Sequence, residues 1–259
     1  PIELWQKMQL VYTTTQLSWF GQYQGIYALF FLLGTLGIGL GNPGQPHVVN
    51  RLMALKDEKA VQQGKYIGIG WSVIIFVSML IVGWSAKVLL ATPVNGESAL
   101  INLSQQVFPP VLAGIVVAAT LSAIMSTADS QLLVAASAVC YDLRSSKVKP
   151  SLALSRYTVV VMSLIAMSIA IFAPEDIFSR VLFAWNALGA AFGPVVIIKL
   201  MSRYIKGQFI IASVSAGFVL TVIFSLFPPP PGDVLERIIP FVIAFIIAWF
   251  GSNKSDLLK

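Results

Sequence analysis

The stretch Leu121-Ser-Ala-Ile-Met-Ser-Thr-Ala-Asp-Ser-Gln-Leu-Leu133 sets Ser122, Ser126, Thr127, Asp129, Ser130 and Gln131 inside a run otherwise apolar enough to cross a bilayer. Hydrocarbon penalises such groups, and backbone in lipid must satisfy its own hydrogen bonds, so the run reads as a membrane helix with a polar side. Ala123, Ser126, Thr127 and Ser130 fall at i, i+3, i+4 and i+7, one face of that helix. The face offers hydroxyl oxygens and a backbone carbonyl, neutral oxygen ligands of the kind a hard monovalent cation such as sodium takes. Asp129 stands at the edge of the same face, and an ionisable residue inside a span is a functional-site hypothesis. A structural alternative stays open beside this one. Serine and threonine in membrane helices also bond back to the i−4 carbonyl or let helices pack closely.

Composition supports the membrane reading along the whole chain. Of the 259 residues, 57% are hydrophobic and 11% charged, with mean hydropathy +0.82. A soluble domain carries roughly 25% charged residues. The net charge of +6 forms no basic stripe with interleaved aromatics, which argues against a nucleic-acid partner. The lone Cys140 excludes an internal disulfide and reads as a core thiol. No nucleophile–base set, Walker motif or metal-ligand spacing points to an enzyme. The chain begins at Pro1 without Met or a signal-peptide pattern, and reads as starting partway through a longer protein.

The expected fold is all-α, a single polytopic membrane domain over residues 1–259 with seven transmembrane helices. The spans are read at about 26–50, 67–91, 108–140, 157–173, 177–198, 208–227 and 235–250. Residues 1–25 read as an interfacial lead-in with an aromatic belt of Trp5, Tyr12, Trp19, Phe20 and Tyr23. Basic residues orient the spans. Arg51, Lys56, Lys59 and Lys65 follow the first, Arg144, Lys147, Lys149 and Arg156 the third, Lys199, Arg203 and Lys206 the fifth, and Lys254 and Lys259 the seventh. The opposite side holds only Lys7, Lys87, Arg180 and Arg237. The positive-inside rule then puts the first group and the C-terminus in the cytoplasm, across the cell (inner) membrane. Of the eleven acids, ten sit in loops, tails or span ends, and only Asp129 is left inside a span. In the external loop 92–107 the later half reads as a short amphipathic helix. Pro228–Pro231 with Gly232 reads as a stiff connecting turn.

The first span is expected to be broken. Gly39-Leu-Gly-Asn-Pro-Gly-Gln-Pro46 cannot carry a continuous helix, because Pro43 and Pro46 remove donors and the glycines add backbone freedom. Unwound backbone at membrane depth persists only where protein or a water-filled cavity satisfies it, and transporters place substrates at such breaks. In the fifth span, Trp185-Asn-Ala-Leu-Gly-Ala-Ala-Phe-Gly-Pro194 carries Gly189 and Gly193 at i and i+4, a face that lets a neighbouring helix approach. His47, beside the break, reads as a packing residue.

Three of these motifs together resemble the sodium:solute symporter family: Gly44-Gln-Pro-His47 with Arg51, Met125-Ser-Thr-Ala-Asp-Ser-Gln-Leu-Leu133, and Gly189-Ala-Ala-Phe-Gly-Pro-Val-Val196. The resemblance runs through nearly the whole chain and is nearest to the proline-transporting branch. It implies the C-terminal part of a LeuT-type transporter built on inverted repeats, the first span here being the broken sixth core helix and the third span the eighth. It implies sodium as the ion, held by the Ala123 carbonyl and the Ser126 and Thr127 hydroxyls, with the remaining ligands on a first core helix outside this chain. Asp129 and Ser130 match a second sodium site of some relatives. For substrate it implies Ile38, Asn42, Gln45 and Pro46. The proline branch has Trp and Tyr where this chain has Ile38 and Asn42, so the implied solute is a small amino acid such as proline or a related organic solute in a more aliphatic pocket. The expected function is sodium-coupled symport across the lipid bilayer. Two other readings stand beside it: a symporter-like input domain of a membrane sensor kinase, and a proton-coupled carrier using Asp129.

Overall fold

A computed structural model describes residues 12–13, 18–90, 96–142, 152–172, 177–201 and 203–254. Trp5 of the lead-in, the first residues of the external loop, and Arg144, Lys147 and Lys149 lie outside them. In chain order the elements are α1 (Ile26–Gly37), a 3₁₀ segment (Ile38–Gly44), α2 (Pro46–Met53), α3 (Glu58–Leu89), α4 (Ala99–Val107), α5 (Pro110–Ser137), α6 (Leu152–Phe172), α7 (Ile177–Leu200), β1 (Arg203–Ile205), α8 (Gly207–Ser225), α9 (Val234–Phe250) and β2 (Ser252–Lys254). Among the described residues the regular elements are therefore helices apart from one short ribbon. Six helices among the described residues are long and apolar enough to cross a membrane: α1 with its 3₁₀ continuation, α3, α5, α6, α7 and α8. The run read as a seventh span forms α9, a helix of 17 residues.

The helices gather into two compact units, residues 55–175 and residues 12–54 with 176–259. In the first, α3 packs on α4, α4 on α5, and α5 on α6. The amphipathic helix expected in the later half of the external loop is α4. Helix α3 exposes Ile67, Trp71, Phe76 and Ile81, so it is apolar all round, as a lipid- or core-facing helix must be. It starts at Glu58 rather than near residue 67 because Asp57 caps it, accepting the Ala60 amide at 2.8 Å. At 1.5 Å per residue its 32 residues reach about 48 Å, beyond the roughly 30 Å hydrocarbon core, so the polar first turns stand outside it. Helix α5 runs unbroken to Ser137 and ends in a π turn over Ala138–Asp142. There Cys140 is buried, its thiol donating to Thr158 Oγ1 of α6 at 3.3 Å.

The second unit is built around α7, which packs against the 3₁₀ segment, α8 and α9. Its buried residues are mostly small: Ala187, Gly189, Ala190, Ala191 and Gly193. Close approach follows directly. A Cβ on Gly217 of α8 would lie 2.2 Å from Ala190 O. Helices α8 and α9 are tied where Ser213 Oγ donates to Ala244 O at 2.8 Å. At the far end of α7, β1 and β2 pair antiparallel with Tyr204 opposite Asn253, over a cluster of Ile198, Ile205 and Ala248. The Arg203 guanidinium lies 4.0 Å over the Trp249 ring and donates to Ser252 Oγ at 3.3 Å.

Candidate functional site

The expected break is present, and its backbone accounting is specific. At Ile38 the helix tightens from α to 3₁₀, so the Ile38 amide reaches Thr35 O. Pro43 lies inside the tightened segment, Gln45 leaves it in an extended conformation (φ −83, ψ 111), and Pro46 restarts the chain as the first residue of α2. Carbonyls along this stretch take side-chain donors. Gly34 O accepts Arg237 Nη1 at 3.2 Å. Ile38 O accepts Trp185 Nε1 at 3.0 Å. Gly41 O accepts Gln45 Nε2 at 3.3 Å, and the same nitrogen donates to Trp185 O at 3.1 Å. This is how protein, in place of water, satisfies irregular backbone at membrane depth.

Glycine makes the fit possible. A Cβ on Gly41 would sit 2.2 Å from the Trp185 ring, one on Gly44 2.4 Å from Leu188 O, and one on Gly189 2.4 Å from Gly41 Cα. The segment and α7 therefore touch backbone to backbone, the close approach that the Gly189 and Gly193 pattern predicts.

The four residues expected to shape a substrate site sit on this one segment in different environments. Gln45 is buried, at 2% exposure, with its amide nitrogen engaged as above. Ile38 and Pro46 are half-buried and Asn42 is exposed. His47 is half-buried at the start of α2.

The five residues expected to bind sodium lie on α5, in the other unit. Ala123, Ser126, Thr127 and Asp129 are exposed and Ser130 is half-buried. Thr127 Oγ1 donates to Ala123 O at 3.1 Å, and Ser130 Oγ to Thr127 O at 2.9 Å and Ser126 O at 3.2 Å. These are the back-bonds of the structural alternative, but a hydroxyl that donates keeps its lone pairs. A cation on this face would find the Thr127 oxygen available, whereas the Ala123 carbonyl is shared with that hydroxyl and lies in an unbroken helix. In the same unit an apolar cleft of about 580 Å³ opens between α4 and α5, walled by Phe108, Ala113, Val117 and Leu121.

Two residues of the second unit were not singled out for these roles by the sequence. Trp185 was read only as part of a small-residue face, yet its ring and its carbonyl both engage the break. In the sequence Arg237 counts only as one of four basic residues on the side opposite the C-terminus, at the edge of the span read at 235–250. It is instead buried in the first turn of α9, paired with Asp233 Oδ2 and bonded to Gly34 O. Asp233, four residues earlier, compensates the buried charge, and that i, i+4 spacing was the available signal. Arg237 Nε is buried with no hydrogen-bond partner among the described residues. Beside it, Asn186 Nδ2 donates to Glu236 Oε1 at 3.0 Å. The proline run is likewise more than a connection. Gly232, at φ 74, lies so close to α1 that a Cβ there would be 2.7 Å from Phe31 O.

The sodium:solute symporter family matches residues 5–217. The high-affinity proline transporter PutP of Bacillus subtilis is 31% identical over 222 residues, covering 82% of this chain and 46% of that protein. The sodium/proline symporter of Haemophilus influenzae is 31% identical over 245 residues, 87% of this chain and 49% of its own. That of Escherichia coli is 30% identical over 210 residues, 76% and 42%. The chain thus spans about half the length of the curated relatives it matches. No solved structure matches it. In such a family sodium is a co-substrate that travels with the solute, not a resident cofactor. With six candidate membrane helices, a broken helix stitched by its neighbours, and a family match over most of its length, the chain belongs to the sodium:solute symporter family, a family of membrane transporters rather than enzymes.

Proposed function

We propose that the protein to which this chain belongs is a sodium-coupled symporter that takes up a small organic solute, an amino acid such as proline, across the cell membrane. The observation that carries this reading is the interrupted helix Ile26–Met53, whose 3₁₀ segment and extended Gln45 put irregular backbone in a candidate membrane span. Half-helix ends and unwound backbone are where transporters hold solutes and ions. On this reading the solute is seated along the segment carrying Ile38, Asn42, Gln45 and Pro46. Ile38 makes the seat more aliphatic than in the proline branch, and Asn42 offers it a polar amide. Sodium binds the face of α5 through the Ala123 carbonyl and the Ser126 and Thr127 hydroxyls, and Asp129 with Ser130 forms a second ion position.

Further parts of the reading follow from the chain itself. Helix α9, at 17 residues, falls at the short end of the roughly 17–25 residues that span a bilayer, and is the seventh span. With it thirteen of the seventeen basic residues lie on one side and the C-terminus is cytoplasmic, and on the family resemblance both units belong to one membrane domain of the LeuT type. On this reading the work is done by sodium running down its gradient.

The test is uptake into proteoliposomes by the full-length protein, over a panel of labelled solutes led by L-proline, under an imposed sodium gradient and separately under a proton gradient. Accumulation that requires sodium supports the proposal. Accumulation driven by protons alone favours the carrier using Asp129, and no accumulation of any solute favours a sensory role.

A further inference from the structure

We propose that Trp185 and Gln45 form a two-ended clasp that fixes the shape of the interrupted segment and thereby sets solute affinity without touching the solute; the inference rests on the transport reading above. Trp185 meets the segment at both ends. Its indole N–H takes Ile38 O, at the first residue of the 3₁₀ stretch, at 3.0 Å. Its own carbonyl accepts Nε2 of Gln45, the residue that closes the stretch, at 3.1 Å. One residue of α7 therefore brackets all seven residues of the segment.

Such a bracket has work to do. Runs of 3₁₀ helix beyond three or four residues are uncommon because their hydrogen-bond geometry is poor. Gly39, Gly41 and Gly44 add freedom that Pro43 only partly removes. Contacts from outside the segment must hold it, and α7 supplies them at backbone distance through Gly189.

Gln45 is better placed to hold the segment than to receive a solute. Its side-chain nitrogen has two N–H donors, and two carbonyls, Gly41 O and Trp185 O, are within reach of it. A solute carboxylate that recruited this amide would have to break bonds that fix the segment, and the residue is 2% exposed. Asn42, one turn earlier and exposed, is the side-chain amide on the segment that a solute can reach directly. Gln45 and Trp185 are thus positioning residues.

The test uses the full-length protein in lipid nanodiscs. Trp185→Phe keeps an aromatic ring, though a smaller one, and removes the indole donor; Gln45→Met keeps the length and removes both donors. Hydrogen exchange at the amides of residues 38–42, 44 and 45 should accelerate about fivefold or more in each variant, the scale of one lost hydrogen bond. The apparent affinity for labelled L-proline, or for whichever panel solute the wild type takes up, should weaken about five- to tenfold, with the sodium half-saturation concentration within about twofold of wild type. The double variant should be little worse than the weaker-binding single, because both act on one segment. Wild-type exchange rates in Trp185→Phe overturn the clasp. Faster exchange with unchanged solute affinity overturns the positioning role, and equal loss of solute and sodium affinity reduces it to general destabilisation. A wild type with no sodium-dependent solute binding removes the transport reading instead, and the exchange rates still decide the clasp. If Trp185→Phe does not reach the membrane, Gln45→Met carries the same comparisons.

Discussion

Replacing Gly189 by alanine tests how closely α7 and the interrupted helix are fitted. The added Cβ would stand 2.4 Å from Gly41 Cα and 3.3 Å from Gly41 C and N. All of these are backbone atoms, so no side chain can swing aside. Ordinary contact begins at 3.4 Å, and the two elements must part by about 1 Å. That movement carries the Trp185–Ile38 and Gln45–Trp185 bonds, now 3.0 and 3.1 Å, past the limit of a hydrogen bond. Losing both costs about 2 kcal/mol, loosened packing adds to it, and the better helix propensity of alanine returns about 1 kcal/mol. The expected net loss is roughly 1–3 kcal/mol, read by reversible unfolding in mixed micelles. Gly83→Ala in α3 is the control, since a Cβ there meets nothing within 4 Å; it should be neutral or stabilising by up to about 1 kcal/mol. A Gly189→Ala protein as stable as the Gly83→Ala protein would refute the backbone fit.

Arg237→Met should cost about 3 kcal/mol in the same unfolding assay, because it strips the donor from Gly34 O and the partner from Asp233. Asp233→Asn should cost a similar amount, because it leaves the buried Arg237 cation uncompensated, and a neutral Asp233→Asn would show that the ion pair is not what anchors α9. In the full-length protein, Ser126→Ala with Thr127→Val should raise the sodium concentration for half-maximal uptake at least about tenfold, on the order of 1.4 kcal/mol. An unchanged sodium dependence would move the ion elsewhere and make Asp129 the next residue to test. Arg203→Gln removes a cation from over the Trp249 ring, worth about 1 kcal/mol. Faster hydrogen exchange at residues 203–205 should follow, and unaltered exchange would mean the ribbon is held by its backbone alone.

The spans were legible in the sequence because run length and hydropathy carry that signal directly. The break was legible because Pro43 and Pro46 are incompatible with an uninterrupted ladder wherever they fall. What holds the break was not legible. Trp185 lies 147 residues from Ile38 and Arg237 lies 203 from Gly34, and no local pattern relates donors and acceptors so far apart. Counting charges by hydropathy also misplaced Arg237, since an arginine at a span edge looks the same whether it meets solvent or a helix carbonyl. The early start of α3 was missed for a smaller reason: a single cap at Asp57 outweighs a polar first turn. For the α5 hydroxyls, spacing alone admitted both cation binding and back-bonding, and the two share the same geometry at Thr127.

The distances along the chain that separate these partners also set a schedule. Ribosomes add roughly 5–20 residues per second. Once Ile38 has been made, its carbonyl waits 147 residues for the Trp185 indole, and Gly34 waits 203 for Arg237. At that pace the interrupted helix exists for about 7–40 seconds before its own donors have been synthesised. An unsatisfied carbonyl in hydrocarbon costs several kcal/mol, so a nascent chain released into lipid at that stage would be driven back out or into a false continuous helix. During biogenesis the interrupted helix is therefore expected to linger in a wet or proteinaceous shelter, and slowing translation between Met53 and Trp185 should lengthen that stay.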